Sequence, residues 1–265
     1  MLMRGPRRTR VSNRSTTWCT DRERGQEDEP GEAVSGPELL WWREHSRSGR
    51  IVSGFSMKVV SVNAAGSSRL SFGGDHLHTG IFKSPMAGPV TLTTTGIRGD
   101  VQVDRKNHGG PDKAICVYSA DHYDRWSSET GMQFCPGMFG ENLTVDGMRE
   151  HDVQIGDRYA VGEAEVEVSQ PRQPCHKLAK KVGDLRFLDR VIELGLTGFY
   201  LRVLKEGRVE ATDAIALISR PEGSCSISYA NGVMYNRVGG VDGLNRLLSV
   251  PSLADAWRRP LSARR

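Results

Sequence analysis

The residues best suited to chemistry lie in the run Ser169-Gln-Pro171-Arg172-Gln-Pro174-Cys175-His176-Lys177-Leu178. Two prolines fix the backbone ahead of Cys175. The residues after it fit a helix start, where backbone N–H groups and the helix dipole favour a thiolate. Arg172, His176 and Lys177 add positive potential. Such a thiolate can attack an electrophile or ligate a soft metal, whereas a cysteine merely packed at a helix start does neither, and the residues alone leave both open. Cys116, inside the apolar run Ala-Ile-Cys-Val-Tyr, reads as core. Cys135 and Cys225 fall in loops without basic neighbours, and Cys19 lies in a segment without pattern.

A second constellation runs from Gly96 to Tyr118 and holds Asp100, Asp104, His108, Asp112 and Lys113 between glycines. Glycine-bounded turns carrying both charge signs beside an apolar strand suit a polar, anionic ligand held by backbone N–H groups and basic side chains. They suit equally a tight turn in which Asp100 and His108 satisfy loop backbone groups. Neither a P-loop nor a dinucleotide fingerprint is present. A third turn, Pro136 to Thr144, presents Glu141 and Asn142 at the start of a strand. His76 and His78 hint at zinc, but no HExxH partner accompanies them. No iron–sulfur cysteine spacing occurs either, so redox chemistry would draw electrons from another protein.

These groups need a scaffold, and composition limits its kind. The chain has 265 residues, 36 Lys plus Arg against 32 Asp plus Glu, and 37% hydrophobic residues. That length allows one large or two modest domains. No apolar run is long enough for a membrane span and no signal peptide opens the chain, so a cytoplasmic protein is expected. Five cysteines without a CxxC argue against a disulfide scaffold. Residues 1–56 carry 10 arginines and 8 acids, leaving 26 and 24 for the remainder, so each part nets +2 and no basic domain emerges. This first segment shows neither helical nor strand periodicity and reads as disordered, or as sequence upstream of a start at Met57. Its Arg4, Arg7, Arg8, Arg10 and Arg14 are followed by the acids from Asp21 to Glu32, which argues against a nucleic-acid-binding arm; the four arginines near the C-terminus read as solvated.

From Met57 onward, short apolar runs predict strands at Met57–Val62, Val90–Thr94, Ile115–Ser119, Asn142–Val145, Ala164–Ser169, Phe199–Val203 and Ala214–Ile218. Ser119 is positioned to cap a helix running to about Glu129, and helical spacing recurs from His176 to Leu194 around Gly183. Three short helices are expected at Tyr229–Tyr235, Val241–Leu248 and Ser252–Trp257, with Val241, Leu244, Leu247 and Leu248 on one face. The expected class is mainly β with α: a barrel or sandwich with flanking helices over 57–220 and a three-helix module over 221–265.

The strings Gly96-Ile-Arg-Gly-Asp100, His108-Gly-Gly-Pro-Asp-Lys113-Ala, Tyr118-Ser-Ala-Asp-His-Tyr-Asp-Arg-Trp126, Phe139-Gly-Glu-Asn-Leu143, Ile155-Gly-Asp157, Ser169 to Lys177 and Gly195-Leu-Thr-Gly-Phe-Tyr200 resemble, in this order, bacterial MOSC-domain proteins of the YiiM type. The resemblance covers residues 57 to about 220, and the helical tail resembles the module that often follows the domain. It implies a MOSC-type β-barrel that binds the molybdenum cofactor, a molybdopterin, with Cys175 as the molybdenum ligand. Lys113, Glu141, Asn142, Arg172 and Lys177, with Asp100 and His108 nearby, would hold the pterin and its phosphate. The implied activity is reduction of N-hydroxylated compounds, such as hydroxylaminopurine bases or amidoximes, to amines by a molybdenum-dependent oxidoreductase fed by a separate electron-donor protein. His108 and Asp100 are then candidate acids by side-chain type. The alternative is a sulfur carrier using a Cys175 persulfide. Pyridoxal phosphate is associated only with the wider family, through a desulfurase domain for which residues 57–265 leave no room. Residues 1–56 have no counterpart in the resemblance, and Glu210-Ala-Thr-Asp213 departs from the glycine-aspartate turn expected there.

Overall fold

The computed structural model describes residues 57–72, 75–103 and 109–264. The readings made for residues 1–56, and those for Asp104 and His108, lie outside them. The strands in chain order are β1 (Lys58–Ala64), β2 (Ser68–Phe72), β3 (Asp75–Thr79), β4 (Ser84–Pro85), β5 (Val90–Thr93), β6 (Gly96–Ile97), β7 (Ile115–Ser119), β8 (Leu143–Asp146), β9 (Arg158–Val161), β10 (Ala164–Pro171), β11 (Phe199–Lys205), β12 (Gly207–Val209) and β13 (Ile215–Ser219). Eight of them form one sheet in the order β13-β9-β10-β11-β7-β8-β1-β4. Its pairings are antiparallel except β7 with β8.

The sheet closes on itself. Val59 N–H donates to the Asp213 carbonyl at 2.9 Å, Thr212 N–H to the Val59 carbonyl at 2.8 Å and Ile215 N–H to the Met57 carbonyl at 2.9 Å, which seats the start of β13 against β1. Closure satisfies backbone groups that an open edge would leave unpaired. The interior is aliphatic, with Val59, Val62, Ile115, Val117, Leu143, Val145, Val166, Val168 and Leu201 all buried. β7 is buried at every position, as the single parallel partner in mid-sheet requires, and its continuous apolar run reflects that.

The seven expected strands are present with ends shifted by a residue or two. The structure adds a β2–β3 hairpin around the stretch that carries His76 and His78, with Leu70 opposite Leu77 and Ser71 opposite His76. Serine, histidine and glycine give weak strand propensity, and only cross-strand pairing reveals it. β9, mostly polar on one face, was also unforeseen.

Six α-helices stand among the described residues: α1 (Tyr123–Thr130), α2 (His176–Val182), α3 (Phe187–Leu194), α4 (Ile227–Asn236), α5 (Gly240–Leu248) and α6 (Asp255–Ser262). Ser119 does not cap α1 through its hydroxyl. A 3-10 turn over Ala120–His122 intervenes, and the Ser119 hydroxyl is buried without a partner. The expected His176–Leu194 helix is two, because Gly183 closes α2 in the left-handed region at φ 81°. α6 begins later than expected and runs through Pro260. Val241 is 68% exposed and leaves the apolar face to Leu244, Leu247 and Leu248, since its first helical turn projects past the packed surface. Helices α4 to α6 bury Ile227, Ala230, Leu247 and Trp257 in the same apolar core as the barrel. A second core of aromatic residues joins α1, α2 and α3 around Phe139, whose ring stacks on Tyr118 at 3.7 Å between centroids. It sets the segment before β8 beside the helix that begins at Cys175.

Candidate functional site

β10 ends at Pro171, and Arg172 N–H still bonds the Gly198 carbonyl at 3.0 Å. The two prolines then carry an extended backbone to Cys175, the N-cap of α2, with φ −123° and ψ 160°. Cys175 is half-exposed at a cavity of about 620 Å³, counted to its open mouth. Asp100, Lys113, Asn142, Arg172 and Lys177 line the same cavity, so six of the eight residues singled out in the sequence meet there.

Asp100 is held from three sides. One carboxylate oxygen accepts from Ala65 N–H at 2.9 Å, and the other accepts from the Asn142 amide at 2.9 Å and from the ammonium of Lys83. The side chains of Lys83 and Asp100 are only 7% and 2% exposed. These three contacts tie Asp100 into the cavity wall between Ala65, Asn142 and Lys83. His108 lies outside the described residues.

Arg172 is buried on the cavity wall. One guanidinium nitrogen donates to the Phe139 carbonyl at 2.7 Å, while Nη1 has no protein partner. A buried, unpartnered guanidinium nitrogen is costly unless a ligand completes it. Together Lys83, Lys113, Arg172 and Lys177 set four cations against the one carboxylate of Asp100 on this wall.

Glu141 is placed differently from the expectation. It does not line the cavity: it is fully buried beneath it, accepting from Gly137 N–H at 2.7 Å, from the Thr144 hydroxyl at 2.8 Å and from the Tyr123 hydroxyl. In the segment just before β8, Asn142 reaches the cavity wall while Glu141 turns beneath it. Cys116 is buried as its apolar run predicts, and it also lines the cavity from β7 beside Tyr200. Burial pushes its thiol up to about 11, with Glu141 adding to the rise and Arg172 and Lys83 opposing it.

Two residues of the site were not foreseen. Lys83 follows Phe82 in a stretch without pattern and carries no signal. Lys181 has one: it stands four residues after Lys177 and shares its helix face. Its ammonium donates to the carbonyls of Ile81 at 3.1 Å and Gly137 at 2.9 Å, tying both rim segments to α2. Glycine is required where those segments touch, since a Cβ on Gly137 would lie 2.4 Å from the Lys83 carbonyl oxygen. His78 is exposed, and no cluster of three metal-ligating side chains occurs among the described residues. No helix among them is long and apolar enough to cross a membrane.

The donor set fits a phosphate-bearing cofactor with a soft metal. The cations and the orphaned Arg172 nitrogen match an anion, and the Cys175 thiol matches molybdenum. The chain is similar to several known proteins. The MOSC domain family matches residues 104–216. Uncharacterized protein YflK of Bacillus subtilis (strain 168) is 44% identical over 200 residues, covering 76% of this chain and 90% of that one. Protein YiiM of Escherichia coli (strain K12) is 36% identical over 188 residues, covering 70% and 84%. A protein named "Reductase" from Gibberella moniliformis (strain M3125 / FGSC 7600) is 38% identical over 152 residues, which are 56% of this chain and 27% of that one. The crystal structure of YiiM from Geobacillus stearothermophilus superposes with a TM-score of 0.68 at 36% identity, covering 78% of this chain and 98% of that one.

Proposed function

The chain belongs to the MOSC-domain family, with YiiM among its relatives, and on that premise we propose that it holds the molybdenum cofactor at Cys175 and reduces N-hydroxylated compounds to amines. The observation that carries this reading is the Cys175 thiol in one cavity with a buried Arg172 whose Nη1 lacks a partner. Arg172, Lys113 and Lys177 would hold the anionic part of the cofactor, and Asn142 and the Lys83–Asp100 pair shape the wall between them. When bound, the cofactor supplies two-electron oxygen-acceptor chemistry. The overall change is R–NH–OH plus two electrons and two protons to R–NH₂ plus water, with the electrons drawn from a separate redox protein in the cytoplasm. The reductase-named relative supports an oxidoreductase, although the match spans a minor part of it.

Elemental analysis for molybdenum together with pterin fluorescence, on protein from a cofactor-competent host, tests the proposal. Near-stoichiometric molybdenum in the wild type and its loss in Cys175→Ala is expected. A wild-type preparation holding neither molybdenum nor pterin, with a persulfide on Cys175, would replace this reading with the sulfur-carrier one.

A further inference from the structure

Lys113 reaches the cavity wall at the end of a short 3-10 turn, Pro111–Lys113. The turn's own backbone bond runs from Lys113 N–H to the Gly110 carbonyl at 3.0 Å. One such bond leaves the orientation of so short a turn to its surroundings. Two outer bonds supply it, both at Asp112. The Ser169 hydroxyl donates to the Asp112 carbonyl at 2.5 Å, and Arg202 Nε donates to the Asp112 carboxylate at 2.6 Å.

Both anchors reach on to the helical tail. Arg202 Nη1 donates to the Ser252 carbonyl at 2.9 Å, and Ala254 N–H donates to the Ser169 carbonyl at 3.1 Å. Ser252 and Ala254 belong to the linker between α5 and α6. That linker is closely seated, since a Cβ on Gly156 would lie 3.0 Å from the Ser252 hydroxyl oxygen. The turn that presents Lys113 is thus held by two side chains, each bonded in turn to one linker.

Arg202 is not itself an anion ligand. It lies outside the cavity wall, and its charge is matched by two carboxylates, Asp112 and Glu167, the latter at 2.7 Å. What its planar guanidinium adds is direction: it holds acceptors from the turn, from β10 and from the linker at once, a set of angles that a single ammonium does not reproduce.

We propose that Arg202, seated on the α5–α6 linker, is a positioning residue of the anion site: it fixes the turn so that Lys113 faces the cavity, and through it the helical tail responds when an anion binds. The proposal rests on the reading above that Lys113 holds an anion; it adds what sets Lys113 in place.

Inorganic phosphate, titrated by calorimetry in physiological salt, tests this on the full-length wild type, Arg202→Met, Arg202→Lys, Lys113→Met and Lys113→Met combined with either Arg202 change, with melting curves reporting that each is folded. Phosphate affinity is expected to fall about fivefold or more in Arg202→Met and by a smaller factor in Arg202→Lys. In the Lys113→Met background neither Arg202 change should cost anything further, because the two residues then act as one unit. Saturating phosphate should also slow amide exchange at Ala254 in the wild type and leave it unchanged in Arg202→Met. Should Arg202→Met not fold, Arg202→Lys carries the same comparisons. Unaltered affinity in the Arg202 variants, an equal loss with and without Lys113, or exchange at Ala254 indifferent to phosphate in the wild type would overturn the proposal while leaving the anion site standing. A wild type that binds no phosphate would overturn the anion reading itself, and the proposal with it.

Discussion

The Lys181 ammonium donates to the Gly137 carbonyl at 2.9 Å, and the same nitrogen reaches the Ile81 carbonyl at 3.1 Å. One side chain of the helix that starts at Cys175 thus fastens the two segments that wall the cavity, and its strength depends on pH. Burial pushes the Lys181 amine down to about 8, with Arg172 and Lys83 acting the same way and Glu141 opposing them. A lysine whose folded pKa lies below its unfolded value leaves the unfolded chain holding more protons between the two. Stability from this group therefore rises as pH climbs from about 8 toward the ordinary lysine range. In Lys181→Met that rise should vanish from a series of melting temperatures, and amide exchange at Ile81 to Lys83 and Gly137 to Gly140 should quicken. A slope identical to wild type would contradict the burial assigned to Lys181.

Removing one member of the Lys83–Asp100 pair leaves a buried charge uncompensated. Asp100→Asn should cost about 3 to 5 kcal/mol by denaturant unfolding, whereas the double variant Lys83→Met with Asp100→Leu should cost clearly less than the two single changes summed. Additive costs would mean that the pair is not coupled.

The thiols differ in reactivity by position. Cys175 is half-exposed, while Cys116 and Cys225 are buried and their thiols are pushed up by that burial. Mass spectrometry after brief iodoacetamide treatment at neutral pH should therefore find Cys175 alkylated and Cys116 and Cys225 intact, because the thiolate is the reacting form. Labelling of Cys116 at a comparable rate would count against its placement.

Arg172 holds the Phe139 carbonyl with one nitrogen and leaves another for a ligand. A lysine keeps the charge but loses the planar fork. Arg172→Lys should weaken inorganic phosphate binding about tenfold by calorimetry, and added salt should weaken it further in both proteins. Equal phosphate affinity in the two would remove Arg172 from the anion site.

Local signals made much of this legible in the chain. Ile115 to Ser119 reads as a buried strand because its apolar residues are consecutive, and Cys175 stands out because two prolines and a basic helix start surround it. Gly183 and Gly131 end helices where glycine alone accepts the left-handed turn without strain. Tertiary structure decided what local signals could not carry. Lys181 and Ile81 are 100 residues apart, and Asp100 and Asn142 are 42 apart, so no periodicity marks either contact. Glu141 and Asn142 look equivalent as neighbours, and only the folded path into β8 sends Asn142 to the cavity wall and Glu141 beneath it. Cys116 reads as core from its apolar run, and the same burial is present in the fold; the cavity is what places that buried thiol within reach of Cys175's surroundings. Residue type and spacing determined which chemistry was available to this chain, and closure of the sheet decided which of those groups face one another.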